Sequence, residues 1–140
     1  MRLRLAFLLS VLLALLIGRE SAAWHVGPAR VTDGDTVNIG ADHFRLKGVR
    51  APESRTNAGQ SATQFLRDHV IGTRWVACRT TGHLTFSRYE AFCFALPGTD
   101  IGAAVIRAGQ ACAATQARYR VADYVVLAAS GPNRPPDCGN

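Results

Sequence analysis

Between residues 29 and 49 the chain has little choice of structure. Val31, Val37, Ile39, Phe44, Leu46 and Val49 fall in short β-forming runs. Asp33-Gly34-Asp35 and Gly40-Ala41-Asp42 interrupt those runs, and both are turn signals. Val37/Ile39 and Phe44/Leu46 each alternate with a polar neighbour, the pattern of a half-buried strand. Three short strands joined by two turns are expected here.

The rest of the chain adds helices and two more strands. Over 60–71, Ala62, Phe65, Leu66, His69 and Val70 recur on one helical face, and Gly72 follows as a stop. His69 therefore reads as a core or boundary residue. Residues 75–78 and 89–95 read as a fourth and fifth strand, with Trp75 expected in the core. Thr99 or Asp100 can cap a short helix that runs to Ala108 and ends at Gly109. A last helix fits 119–129. No internal repeat or long linker divides the chain. Strands, a helix, strands and two helices make an α+β order that suits a small closed barrel with helices packed at one side.

The N-terminus reads differently. Arg2 and Arg4 precede an apolar run over 5–17, and Ser21-Ala22-Ala23 is a small-x-small cleavage site. This is the pattern of a secretory signal peptide over 1–23; the run is short of the about 20 residues that span a bilayer. The expected division is a leader over 1–23, one domain over 24–131 and a tail over 132–140. The expected location is secreted or periplasmic, with no stable membrane association once the leader is cleaved.

The full chain carries +6, and 48% of its residues are hydrophobic, which excludes compositional disorder. Arg2, Arg4, Arg19 and Glu20 depart with the leader, so the mature chain is less basic. Charge alone then points only weakly to a polyanionic partner. Of 16 basic residues, Lys47 is the single Lys. The four cysteines, Cys78, Cys93, Cys112 and Cys138, all follow the leader. An even count in an exported chain implies two disulfides among three connectivities. Cys78–Cys93 with Cys112–Cys138 is the expected pairing. The first joins neighbouring strands and the second ties down the Pro-rich tail. No Cys-x-x-Cys or His-x-x-x-His spacing occurs, so nothing points to zinc.

Chemistry concentrates in two stretches. Asp33 and Asp35 flank a Gly, and residues i and i+2 at a strand end point the same way. Both carboxylates then face one hard cation. The second stretch is Arg45-Leu46-Lys47-Gly48-Val49-Arg50-Ala51-Pro52-Glu53. Taken with Phe86-Ser87-Arg88, Ala91 and Gly109-Gln110-Ala111, these stretches resemble the staphylococcal nuclease-like (thermonuclease) family. The family pattern is an Asp-Gly-Asp-Thr turn, a strand with Arg-Leu, then Asp-(Ala/Thr)-Pro-Glu. Tyr-Gly-Arg follows, opening a strand, and then a helix closing in Gly-x-Ala. The resemblance covers about residues 30–123.

The resemblance implies a five-stranded OB-fold barrel with about three helices, here disulfide-stabilised. It implies an exported, monomeric phosphodiesterase that hydrolyses DNA or RNA with low sequence specificity. Arg45 and Arg88 correspond to the guanidinium positions, where fixed positive charge stabilises the transition state. Glu53 corresponds to the general base for water. Asp35, Asp33 and the Ala51 carbonyl correspond to the calcium ligands. The alternative register would put Ala91 where the catalytic Arg belongs; placing Phe86 on Tyr and Ser87 on Gly puts Arg88 there instead.

Arg50 departs from the pattern. The family has its second calcium carboxylate at that position, and Arg offers no oxygen. The expected calcium site is weakened, and Arg50 can replace part of the metal's charge. Two further functions stay open on this ground. One is a non-catalytic nucleic-acid or anion-binding OB-fold module. The other is an envelope interaction domain.

Overall fold

A computed structural model describes residues 22–130. Residues 1–21 of the expected leader, the expected tail and the Cys138 half of the expected second disulfide lie outside these residues; Ala23, the last residue of the expected leader, donates its N–H to Thr80 Oγ1 and accepts from the Thr80 N–H, each at 2.9 Å. Among the described residues the order is β1 (Trp24–Asp33), β2 (Thr36–Ile39), β3 (Asp42–Leu46), the short β4 (Val49–Arg50), α1 (Asn57–Phe65), β5 (Trp75–Thr85), β6 (Arg88–Ala95), the short β7 (Thr99–Asp100), α2 (Ile101–Arg107), the short β8 (Cys112–Ala113) and α3 (Ala122–Ser130).

The two predicted turns make the predicted meander. β1 pairs with β2 antiparallel, with Val31 opposite Val37, and β2 pairs with β3, with Val37 opposite Phe44. The alternation decides which faces go in: Val37, Phe44 and Leu46 are buried, while His43 is exposed. The other half of β1 pairs with β5, and β5 with β6. β6 then runs parallel to β3, with Arg45 opposite Glu90. Five strands thus close an OB-like barrel in the order β3-β2-β1-β5-β6 and back to β3. Closure leaves these five with no long unpaired edge. β7 extends the sheet beside β6, and β4 pairs with β8 as a separate small ladder.

Cys78 and Cys93 sit opposite each other across β5 and β6, with Cα atoms 4.1 Å apart, and are joined by a disulfide. Such a crosslink belongs to an oxidising compartment and is rare in the cytosol. Among the described residues no free cysteine remains.

α1 packs against the β1–β2 turn, with Ala62 close under Gly34. Its N-cap Thr56 accepts a hydrogen bond from the Gly59 N–H, and Ala62 is buried. The helix then widens into a π-helical turn over Leu66–Ile71. That turn shifts the inward face: Leu66, Val70 and Ile71 are buried, whereas His69 is exposed beside Phe65. The core or boundary role expected for His69 from a regular helical period is therefore corrected. Trp75 is also corrected. It lies 57% exposed, because Val76 takes the inward position at the start of β5 and the strand alternates.

α2 starts as expected at a cap, with Asp100 Oδ1 accepting from the Ala103 N–H at 3.0 Å. The same oxygen accepts from the Tyr124 phenolic Oη–H at 2.7 Å, which docks α3 on α2. Burial and this contact raise the Tyr124 phenol well above its ordinary value. α3 begins at Ala122, a few residues later than the sequence indicates.

Candidate functional site

The site forms at the barrel mouth, where the β1–β2 turn meets the segment after β3. Asp33 Oδ1 accepts from the Asp35 N–H at 3.0 Å, tightening the turn. Gly34 has no room for a side chain: a Cβ there would lie 2.7 Å from the Cβ atoms of Ala51 and Ala62. This close approach holds Asp35 against the loop after β4. Asp35 is only 6% exposed.

Its carboxylate is fully engaged. Oδ1 accepts from Thr36 Oγ1 at 3.1 Å and Arg45 Nη1 at 3.2 Å. Oδ2 accepts from the Ala51 N–H at 3.2 Å and pairs with Arg45 Nη2 at 3.2 Å. An ionised carboxylate offers about four lone-pair sites, and all are taken. Burial lifts the Asp35 carboxyl above its ordinary range; Arg45 and the Ala51 N–H pull it back, while Asp33 pushes it further up.

Arg45 comes from β3, opposite Thr36. Arg88 is the first residue of β6, and its Nη1 donates to Thr36 Oγ1 at 3.4 Å. The Thr36 hydroxyl thus links Arg88 to the Asp35–Arg45 pair. Ala91 is buried in the core and pairs with Leu46, so Arg88 is the residue at the mouth. Glu53 follows the buried Pro52 and is exposed. Its backbone is pinned: its carbonyl accepts from the Thr56 N–H at 2.9 Å and from Thr56 Oγ1 at 2.8 Å. Gly59 packs on the same carbonyl so closely that a Cβ would collide with it.

Asp35, Arg45, Arg50, Glu53 and Arg88 line one polar cleft of about 320 Å³, with Asp33 and Ala51 in its wall. Every candidate site residue taken from the two sequence stretches and from the Phe86-Ser87-Arg88 string is therefore gathered in one place. Three arginines and three carboxylates line the cleft, so its charge is mixed; what suits a phosphate there is the guanidinium fork, which matches phosphate oxygens two at a time.

Calcium is a different matter. It takes six to eight oxygen ligands. Asp35 has no acceptor site left, Asp33 Oδ1 holds the Asp35 N–H, and Arg50 stands in the wall. Among the described residues no group of three or more His, Cys, Asp or Glu side chains is arranged to hold a metal ion. Arranged in this way, the donor set does not fit calcium.

Three features were not legible in the sequence. One is Thr36 as the bridge between the arginines, for which its place in Asp-Gly-Asp-Thr is the available signal. The second is the β5–β6 turn. Thr85 pairs with Arg88, leaving Phe86 and Ser87 as a two-residue turn with φ of 48° and 62°. Both positive angles mark a mirror-image hairpin turn, which favours Asn and Gly. The third is a part-buried ion pair: Lys47 Nζ lies 3.0 Å from Glu90 Oε2 and also donates to the Arg118 carbonyl at 3.0 Å.

No protein-family model matches the chain. The chain is 28% identical over 114 residues to the succinoglycan biosynthesis protein ExoI of Rhizobium meliloti (strain 1021). That alignment takes in 73% of this chain and 60% of ExoI, so the chain spans less than two thirds of that relative's length.

Proposed function

We propose that this chain is an exported, monomeric, thermonuclease-like phosphodiesterase that hydrolyses nucleic acid at the barrel-mouth cleft. The observation that carries the reading is the convergence of Arg45, Glu53 and Arg88 on one cleft from three separate segments. Arg45 and Arg88 hold the non-bridging phosphate oxygens and stabilise the charge that builds on them. Glu53 takes the proton of an attacking water as the water oxygen bonds to phosphorus. The bond from phosphorus to the leaving oxygen breaks, and the proton passes to that oxygen. Arg50 adds positive charge where the family resemblance implies a metal ligand. The leader over 1–23 supports export, and the disulfide agrees with it. The ExoI name speaks of succinoglycan biosynthesis and of no reaction.

A second reading is a binding module without hydrolysis. The saturated Asp35 carboxylate favours it, because no acceptor there is left for a metal. A nuclease gel with single-stranded DNA and RNA, in chelator and in calcium, separates the two. Cleavage that persists in chelator and falls about 100-fold in Glu53→Gln supports the proposal. Cleavage only in calcium restores the metal-dependent mechanism of the resemblance. Salt-sensitive binding without cleavage supports the module. Neither cleavage nor binding points to an envelope interaction domain and sinks both.

A further inference from the structure

The flank of the barrel away from the cleft carries an apolar face of its own, laid out by the registers of β1, β5 and β6. Trp24 lies opposite Arg79, Val26 opposite Ala77 and Pro28 opposite Trp75. On the next strand Phe92 lies opposite Arg79, and Phe94 opposite Ala77. Directly opposed residues share a face, as do residues two apart along a strand. The other face of β5 and β6 is the core, where Val76, Cys78, Cys93 and Ala95 are buried. The outward side chains therefore adjoin on one surface. Trp24, Val26 and Trp75 are each more than half exposed, and the Trp24 and Phe94 rings lie 6.3 Å apart. A contiguous exposed apolar patch marks a contact surface.

Its charge says which kind. Arg79 stands between Trp24 and Phe92, and Arg30 continues the β1 row two residues past Pro28. Both residues are exposed, and none of the ion pairs among the described residues takes either of them. A wholly apolar partner would cover the Arg79 guanidinium without giving it an acceptor, which is costly. A single nucleic-acid strand supplies both halves of the match: bases that stack on aromatic rings, and phosphates that pair with guanidiniums.

The face also lies within reach of the cleft. Arg88 lines the cleft and opens β6. Phe92 and Phe94 follow it on the same side of that strand, Phe94 about 20 Å along. Glu90 stands between them, and Lys47 offsets its charge. A strand held by Arg88 can therefore continue down β6 onto these rings.

We infer that this outer face is a second, sequence-independent contact for single-stranded nucleic acid. Bases stack on Trp24, Trp75 and Phe94, and phosphates pair with Arg79 and Arg30. The inference rests on the phosphodiester reading and extends it, giving long strands an advantage over short ones.

Trp24 and Trp75 are the two tryptophans of the chain, so intrinsic fluorescence reads this face without a label. Titration of the wild-type protein with a phosphorothioate-linked deoxythymidine 20-mer, which resists cleavage, should quench that fluorescence. In anisotropy with the same strand, Trp24→Ala/Trp75→Ala should bind about tenfold more weakly. Arg79→Gln keeps both tryptophans, should the double variant fail to fold. Its log–log salt dependence of binding should be shallower by about 0.7. A bound 20-mer that leaves the fluorescence unchanged, or equal affinity of wild type and folded variants, overturns the inference and leaves the phosphodiester reading standing. Failure of the wild type to bind the 20-mer overturns both. Binding to phosphatidylglycerol vesicles that the double variant loses, with its affinity for the 20-mer retained, also overturns the inference and assigns the face to a lipid surface.

Discussion

Two turns frame the mouth of the barrel, and they are built on opposite terms. The β1–β2 turn is packed and fully bonded. Gly34 sits against Ala51 and Ala62, and each Asp35 oxygen accepts two donors. The β5–β6 turn is open and strained. Phe86 and Ser87 adopt positive φ without being Gly, and Phe86 points into solvent. The first turn holds a charge that burial penalises, so every lone pair must find a donor. The second sets an exposed ring two residues before Arg88 at the barrel mouth. Rigidity lies where the charge is buried, and strain lies where a ring is left in solvent.

The largest test of this contrast is Asp35→Ala. It strips the guanidinium of Arg45, the Thr36 hydroxyl and the Ala51 N–H of their shared acceptor. A loss of about 3 kcal/mol is expected, read as a lower urea midpoint with an unchanged slope. A neutral result would break the claim that this turn is structural. Next comes Gly34→Ala, which pushes a methyl into Ala51 and Ala62 at a cost of about 2 kcal/mol, measured the same way. The smallest effect has the other sign. Ser87→Gly relieves a positive φ and should stabilise the chain by about 1 kcal/mol, seen as a higher melting temperature. If Ser87→Gly destabilised the protein, the second turn would not be strained and the contrast would fail.

The same two turns show how far the sequence could be read. Asp33-Gly34-Asp35 announces its turn because Gly and Asp encode it locally. The alternation that follows gives the strands and the buried faces of Val37, Phe44 and Leu46. Phe86-Ser87 announces nothing, since its residues oppose the conformation that closure of β5 on β6 imposes on them. His69 and Trp75 failed for a related reason. A regular period misplaces both, because tertiary packing sets the inward face through a π turn in one case and through Val76 in the other. The candidate site was legible in its residues because they come in ordered strings. Its internal bonding was not. Nothing in the string says that Arg45 grips Asp35, or that Lys47 and Glu90, 43 residues apart, form an ion pair.

The parallel contact between β3 and β6 also fixes the moment at which this protein first has a site. Arg45 leaves the ribosome well before Arg88, and the two share a cleft only when the last barrel strand is laid against the third. Contacts so distant along the chain form late and slowly. A chain whose synthesis stops before β6 has the Asp-Gly-Asp turn and the Glu53 loop but no cleft between two arginines. If the proposed function holds, affinity for a phosphate backbone arrives only with completion of the barrel.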